Sequence, residues 1–417
     1  MEPTRVVILG GGFAGVSVAK SLQRSCERFG LHVTVVSQEN YSLFTPMLPE
    51  VATGSIETRH IVQPLRATLK RCAVAMGEVR AIHLERKEVV VAREHAGDMT
   101  LPYDHLVLAL GSESTTFGLP GIERYAFRLK NLTDAAKLRN RIIEMLESAA
   151  VARTDEERNR LLTFVIVGGG FTGVETAGEL RGFLRSITRF YANLEARHMR
   201  VVLVEGTREL LPQLPVRFGR RAGRILARRG VEVYMGDLVA QLDESVLSLQ
   251  SGKRFETKTV IWSAGVKPSP LVTTLPLKTS SQGAVVVNGD FSVPGRPSLW
   301  ALGDCAQIPR PDVGYYAPTA QGAIRQGPVL ARNILLALRG RPTMRFRFKP
   351  LGMMASLGNR EGLAELRGGL MLSGFVAWFL WRTYYLSRLP GFDRKARVAL
   401  DWSLDMLFPR DIARLRS

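Results

Sequence analysis

The stretch that decides the fold is Arg5-Val-Val-Ile-Leu9-Gly10-Gly-Gly12-Phe13-Ala14-Gly15. A β-branched run ends in G-x-G-x-x-G, a helical stretch over Val16 to Phe29 follows, and His32-Val-Thr-Val-Val36 reads as the next strand. Strand, glycines, helix and strand in that order open a βαβ unit of the dinucleotide-binding kind. Each glycine has a steric reason. Gly10 makes the tight turn, Gly12 lets a pyrophosphate approach the backbone, and Gly15 lets the helix close on the strand. The helix N-terminus then faces the phosphates. Ser37 stands where an acid is expected at the end of the second strand, and Glu39 comes two residues later. Glu39 either takes the ribose hydroxyls from a bent loop or is an ordinary exposed carboxylate.

The pattern is written twice. Leu162-Thr-Phe-Val-Ile-Val167 leads into Gly168-Gly-Gly170-Phe171-Thr172-Gly173, a helix is expected from Val174, and Arg200-Val-Val-Leu-Val204 ends at Glu205. Here the acid is in place, where a carboxylate accepts two ribose hydroxyls and repels a 2′-phosphate. The second site is therefore expected to prefer NAD(H). Leu106 to Gly111, Val260 to Gly265 and Leu299 to Asp304 are apolar strands closing on a small residue, a glycine or an aspartate. Each alone is an ordinary core strand. Together, in this order after two glycine motifs, they fit two nested nucleotide folds.

The 417 residues suggest two or three domains, and 46% hydrophobic with 23% charged residues is an ordinary globular composition. Three cysteines, Cys26, Cys72 and Cys305, stand far apart in sequence, which excludes a disulfide scaffold and a CxxC redox pair and leaves no metal site expected. A reduced, cytoplasmic location follows. The formal charge of +19 admits nucleic acid, an anionic membrane surface or anionic cofactors, without choosing among them. No secretory signal is visible, and the longest uncharged apolar run near the C-terminus, Gly368 to Trp381, has fourteen residues. A spanning helix needs roughly 20.

With both motifs in view, the sequence resembles the two-dinucleotide flavoproteins, which hold FAD in a first domain interrupted by a second that binds a nicotinamide. The fold class this implies is α/β, with two nested Rossmann-like dinucleotide-binding domains plus a C-terminal membrane-associating region. The implied domains are 1–112 with 284–340 for FAD, 113–283 for NAD(H), and 341–417 as the C-terminal region. By the resemblance, Gly10, Gly12, Phe13, Ala14, Gly15, Glu39, Asn40, Thr45, Pro46, Ala109, Gly111, Gly303 and Asp304 would serve FAD. Asp304 would meet its ribityl or pyrophosphate part. Gly168, Gly170, Phe171, Thr172, Gly173, Glu205, Ala264 and Gly265 would serve NAD(H).

The electron acceptor distinguishes the branches. Asn40-Tyr-Ser-Leu-Phe-Thr-Pro-Met-Leu-Pro49 holds no cysteine where disulfide reductases carry a pair, and sulfide:quinone oxidoreductases also rely on cysteines. This stretch continued to Gly54, the second motif through Glu179, Tyr316 to Gln321, Trp378 to Tyr385 and Asp401-Trp402 resemble type II NADH:quinone oxidoreductases along nearly the whole chain. In that family the Ala320-Gln321 pair would lie beside the isoalloxazine at the quinone pocket, with Pro318 opening the helix. Arg325 departs from the commoner pattern, a second glutamine, and Gln326 follows it. Arg325 can hold a quinone carbonyl or form a salt bridge elsewhere, and Gly327-Pro328 is expected to interrupt the helix. Glu175, read in the first turn of its helix, either assists proton or hydride movement near the nicotinamide or is favoured there by the helix dipole. Gln321, Glu175 and Arg325 are thus the candidate catalytic residues.

Seven aromatics lie within the eighteen residues from Phe375 to Phe392, interleaved with or followed by Arg382, Arg388, Arg394, Lys395 and Arg397. They form either an interfacial helix at the headgroup level or a core helix with a basic face. The resemblance favours a peripheral protein at the cytoplasmic face of the cell membrane, a homodimer with a quinone substrate and no nucleic acid. Arg217, Arg220, Arg221, Arg224 and Arg228 form a stripe at helical spacing, either a membrane- or acid-binding face or a solvated one. Thr133 to Ala149 reads as a helix, Arg153 to Arg160 as a charged surface linker, and Met344 to Lys349 as an edge strand. Two rival readings remain on the same fold. One is a soluble NADH-dependent reductase of a ferredoxin-like partner, and the other is a flavin-binding regulatory protein of the apoptosis-inducing type.

Overall fold

The computed structural model describes residues 2–195, 197–349, 352–366 and 369–414, in two compact units. Gly368, at the start of the apolar C-terminal run, lies outside the described residues. The first unit comprises Met1–Leu43, Gln63–Glu113 and Val266–Pro350. The second comprises Phe44–Val62, Ser114–Gly265 and Leu351–Ser417. The segments 44–62 and 351–417 thus group with the residues around the second glycine motif.

The first unit is built on a six-stranded sheet in the order Ser292–Val293, Arg296–Ala301, His105–Leu108, Thr4–Leu9, Leu31–Ser37 and Ala73–Met76. Thr4–Leu9 runs parallel to both neighbours, with Val6 opposite Val33 and His105. Such strands are covered on both faces, so they are nearly continuous apolar runs: Val6 to Leu9, Leu106 to Leu108 and Leu299 to Leu302 are all buried. Two helices, Phe13–Leu22 and Ala320–Ala337, pack against each other in this unit.

The expected Val16–Phe29 helix is two pieces, Phe13–Leu22 and Cys26–Phe29, closed by Gly30 in the left-handed region at φ 59°. The helix from Ala320 does not stop at Gly327-Pro328; it continues to Ala337 with Pro328 inside. Its N-cap is Thr319, whose side chain accepts from the Gly322 N–H, so Pro318 lies outside the first turn. Met344 to Lys349 forms no strand; Phe346 is buried and its N–H donates to the Gly289 carbonyl at 2.7 Å. Alternation there reflects one face turned to the core without a ladder partner.

The second unit holds a five-stranded parallel sheet in the order Ala126–Arg128, Thr259–Trp262, Thr163–Val167, Arg200–Glu205 and Val231–Met235. The helix expected from Thr133 begins at Leu132, fixed by a capping box between Asn131 and Asp134. The charged stretch after it is no linker. Asp155–Leu161 is helical because Thr154 caps the Glu157 N–H and three acids fill the first turn. In the C-terminal part an antiparallel sheet, Gly352–Ser356, Gly362–Leu366 and Met371–Gly374, is backed by the helix Phe375–Arg388 and followed by Phe392–Leu407.

Candidate functional site

The two glycine motifs fold into cradles of the same geometry, one in each unit. Gly10 has φ 118°, and a Cβ there would meet the Ala109 carbonyl oxygen at 2.2 Å; Gly168 has φ 109°, and a Cβ would meet the Ala264 nitrogen at 2.7 Å. At Gly15 and Gly173 a Cβ would lie 2.0 and 1.8 Å from the carbonyl oxygens of Gly10 and Gly168. Among the described residues, leaving aside the chain neighbours and the backbone of the same helix, no atom lies within 4 Å of a Cβ at Gly12 or Gly170. These two glycines are the N-caps of Phe13–Leu22 and Phe171–Ile187, and neither helix has a side-chain cap. The geometry suits an anionic diphosphate, which can approach the bare backbone and take the first-turn N–H groups. Both cradles therefore fit the diphosphate of a dinucleotide. Phe13 and Phe171 are half-buried at the helix starts, Ala14 is buried and Thr172 is exposed.

The ends of the second strands differ in an informative way. Glu205 accepts from the Gly169 N–H and, at 2.7 Å, from the Thr207 N–H, so it shapes the glycine loop. In the first unit the buried Ser37 takes the corresponding place over Gly11, whose Cβ would meet the Ser37 hydroxyl at 2.4 Å. Glu39 and Asn40 are exposed just beyond, and the Glu39 carboxylate contributes, after burial, to holding the Tyr41 phenol above its ordinary pKa. Thr45 and Pro46 begin the 3₁₀ turn Thr45–Met47 and belong to the second unit.

Further along the first unit, Gly303, Asp304 and Gln326 meet. Gly303 has φ 72°, and its Cβ would come 3.0 Å from that of Ala14, which places this turn against the first glycine helix. Asp304 accepts from the Ser112 hydroxyl at 2.9 Å. Gln326, buried, accepts the Gly303 N–H at 2.8 Å and pins the turn. In the sequence it merely follows Arg325, and no local signal separates it from a surface glutamine. Gly111 has φ 68° with open space beside it, whereas Gly265 of the second unit is closed over by the Phe117 ring at 2.3 Å from a Cβ.

Ala320 and Gln321 occupy the first two positions of their helix and are half-buried. Arg325 makes no ion pair among the described residues. Its guanidinium lies over the Phe348 ring at 4.9 Å and donates to the Gln321 carbonyl at 3.3 Å, so of its two readings the salt bridge is not formed. It is a half-buried cation beside Gln321.

Glu175 is the fifth residue of Phe171–Ile187, past the first turn, so the helix dipole does not account for it. It is buried and accepts from the Trp381 indole N–H and the Ser356 N–H, each at 3.1 Å. Burial pushes its pKa up to about 8, against these two donors. It is one of a buried set that sequence reading missed. Glu50 accepts from the Trp402 indole at 3.0 Å and lies 3.7 Å from Arg382; Arg382 lies 3.9 Å from Asp405; Arg410 pairs with Asp405 at 2.7 Å and Glu179 at 3.1 Å. Burial also raises the Glu50 pKa, with Arg382 opposing it. The available signals were an acid inside the apolar Met47-Leu-Pro-Glu50-Val-Ala stretch and Glu179 one turn after Glu175.

The C-terminal aromatics divide. Trp378, Trp381 and Arg382 are buried, while Phe375, Phe379 and Phe392 are exposed. Arg382 is thus a core cation between the Trp378 and Trp402 rings, at 4.1 and 4.6 Å, and not a snorkelling one. Among the described residues no helix is long and apolar enough to cross a membrane.

Residues 4–327 match the family of pyridine nucleotide-disulphide oxidoreductases, and residues 351–411 match the NDH2 C-terminal domain. A probable NADH dehydrogenase of Dictyostelium discoideum is 32% identical over 99% of this chain and 92% of its own length. A type II NADH:quinone oxidoreductase of Mycobacterium tuberculosis is 32% identical over 97% and 89%. The solved NDH2 of Plasmodium falciparum has the same fold, with a TM-score of 0.91 at 20% identity over 99% of this chain and all of that one. Two glycine cradles and likeness along nearly the whole chain agree: the chain belongs to the pyridine nucleotide-disulphide oxidoreductases and, within them, to the type II NADH:quinone oxidoreductases.

Proposed function

We propose that the protein oxidises NADH and reduces a lipophilic quinone through FAD, without pumping protons, at the cytoplasmic face of the membrane. The observation that carries this reading is the pair of matching glycine cradles, the second closed by Glu205, in a chain whose thiols are unsuited to electron relay. Burial pushes the Cys72 thiol up to about 12 and the Cys305 thiol up to about 11, so neither is a thiolate at neutral pH.

FAD, when bound, supplies hydride acceptance from the nicotinamide and delivery of electrons to the second acceptor. The FAD domain is assigned to residues 1–112 with 284–340, the NAD(H) domain to 113–283. Gly10, Gly12 and Gly15 bind the flavin diphosphate, with Gly303 and Asp304 held by Gln326 and Ser112. Gly168, Gly170 and Gly173 bind the nicotinamide diphosphate, and Glu205 selects the unphosphorylated ribose. Gln321 offers a hydrogen bond to a quinone oxygen, and Arg325, turned away from carboxylates, favours the developing negative charge there. Glu175 holds a proton at its carboxyl at neutral pH and is suited to proton supply. The exposed Phe375, Phe379 and Phe392 support docking of residues 341–417 on the bilayer that holds the quinone. The family likeness also supports a homodimer, which light scattering of the holoenzyme reads directly.

The test is NADH oxidation by the purified holoenzyme with short-chain ubiquinone and menaquinone, with and without liposomes, while flavin bleaching is followed. Rapid turnover with a quinone is expected. Rapid bleaching with no turnover on any quinone would reject this reading and point to a protein acceptor.

A further inference from the structure

The arginine stripe is a feature the proposed reaction leaves unused. Val216–Arg228 is a thirteen-residue helix with five arginines and no carboxylate. Phe218, Ala222, Ile225 and Leu226 are buried on one side, and Arg217, Arg220, Arg224 and Arg228 are exposed on the other. Among the described residues two carboxylates answer them: Glu365 pairs with Arg217 at 2.7 Å and Glu209 with Arg220 at 3.2 Å. Among the described residues Arg224 and Arg228 have no ion pair.

This helix belongs to the same unit as the C-terminal aromatics and lies beside their supporting sheet. It packs along Gly362–Leu366. Arg221 donates to the Ser373 hydroxyl at 3.1 Å, two residues before Phe375, and a Cβ at Gly369 would lie 3.1 Å from the Arg217 guanidinium. Leu370 is 59% exposed, Phe375 58%, Val376 57% and Phe379 56%, with the Phe375 and Phe379 rings stacked at 6.3 Å. An exposed aromatic cluster, with an only partly neutralised arginine helix packed on its supporting sheet, has the two halves of a bilayer-docking surface: apolar groups for the acyl boundary and cations for the headgroups.

We infer that the Val216–Arg228 helix is a second docking element, which binds anionic phospholipid headgroups through Arg220, Arg224 and Arg228 beside the apolar contact of Phe375 and Phe379. The inference rests on the membrane-docking reading above and adds to it a lipid preference. A cation near an anionic leaflet gains about five-fold in partitioning, so three of them give roughly 100-fold, decreasing as salt shortens the Debye length.

The test uses the holoenzyme in vesicle co-sedimentation, with phosphatidylcholine vesicles and with vesicles that also contain phosphatidylglycerol. The variants are Arg220→Gln/Arg224→Gln/Arg228→Gln, the charge-preserving Arg→Lys triple, and Phe375→Ser/Phe379→Ser. Expected is stronger binding of the unaltered protein to the anionic vesicles. The glutamine triple should lose that difference, keep binding to neutral vesicles and keep full NADH turnover with a soluble dye. The lysine triple should retain the difference. The serine pair should weaken binding to both vesicles and so reports on the apolar contact separately. A glutamine triple with undiminished anionic preference overturns the inference and leaves the helix face to an acidic protein. Binding of the unaltered protein to neither vesicle overturns it together with the docking reading.

Discussion

The hydroxyl of Ser17 donates to the carbonyl oxygen of Ile324 at 2.7 Å, and Ile324 is the residue four before Pro328. Proline has no N–H to return to that carbonyl. A side chain from the first glycine helix therefore supplies the bond that the Ala320–Ala337 helix lacks, and the helix runs through. Gly327 makes the approach possible, since a Cβ there would lie 2.5 Å from Ser17.

Replacing Ser17 by Ala leaves a carbonyl without a partner at a closed helix contact, at a cost of about 1–3 kcal/mol. Thermal unfolding of the holoprotein should fall by several degrees. Pro328→Ala restores the N–H and should recover most of the loss in the double variant, although it changes little alone. Additive single effects in that cycle would show that the two positions are not coupled.

The two cradles should fail independently. Gly15→Ala forces a Cβ onto the Gly10 carbonyl and should yield protein without flavin absorbance. Gly173→Ala does the same at Gly168 and should keep its flavin but bind NADH about 10- to 100-fold more weakly, as expected for overpacking of about 1–3 kcal/mol. Flavin content and stopped-flow reduction separate them. Loss of flavin in Gly173→Ala would contradict the assignment of one cofactor to each cradle.

Glu205 bonds two backbone N–H groups and is proposed above to take the ribose hydroxyls. Glu205→Gln removes its charge and weakens charged hydrogen bonds worth about 1.5–3 kcal/mol each. The KM for NADH should rise about ten-fold or more, while NADPH loses less, so the NADH/NADPH ratio of kcat/KM falls. An unchanged ratio would mean another group discriminates.

Glu175 provides the pH dependence. Its pKa is raised by burial from the ordinary 4.5 to about 8, so between these values the folded protein holds more protons than the unfolded chain. Stability from this group is fully present below 4.5 and declines as pH rises through 8. Glu175→Gln, neutral at every pH, should flatten the fall in Tm across that window. It should also slow quinone turnover while NADH reduces the flavin at the original rate. An equal fall of Tm with pH in the variant and the unaltered protein would rule out Glu175 as the source.

The fold and the two glycine cradles were legible because their signals are local. A glycine followed two and five residues later by glycines, between a β-branched run and a helix, is readable within about fifteen residues. The helix after Thr319 and the capping box at Asn131 are equally local. Two expectations failed where a distant group intervened, and a third where an expected partner is missing among the described residues. Pro328 was expected to end a helix, but Ser17 sustains it. Arg382 was expected at a surface, but it is enclosed by Trp378, Trp402, Glu50 and Asp405. Met344 to Lys349 alternates without a strand to pair with.

By itself, then, the sequence determined two glycine cradles and the acid that closes the loop of the second, because backbone sterics and residue chemistry act over a few positions. Tertiary structure alone decided which carboxylates are buried and what they bond. Glu175 meets Trp381 across 206 residues and Glu50 meets Trp402 across 352. A carboxyl's proton affinity depends on the donors and dielectric around it, and those are assembled only when distant segments of the chain are packed together.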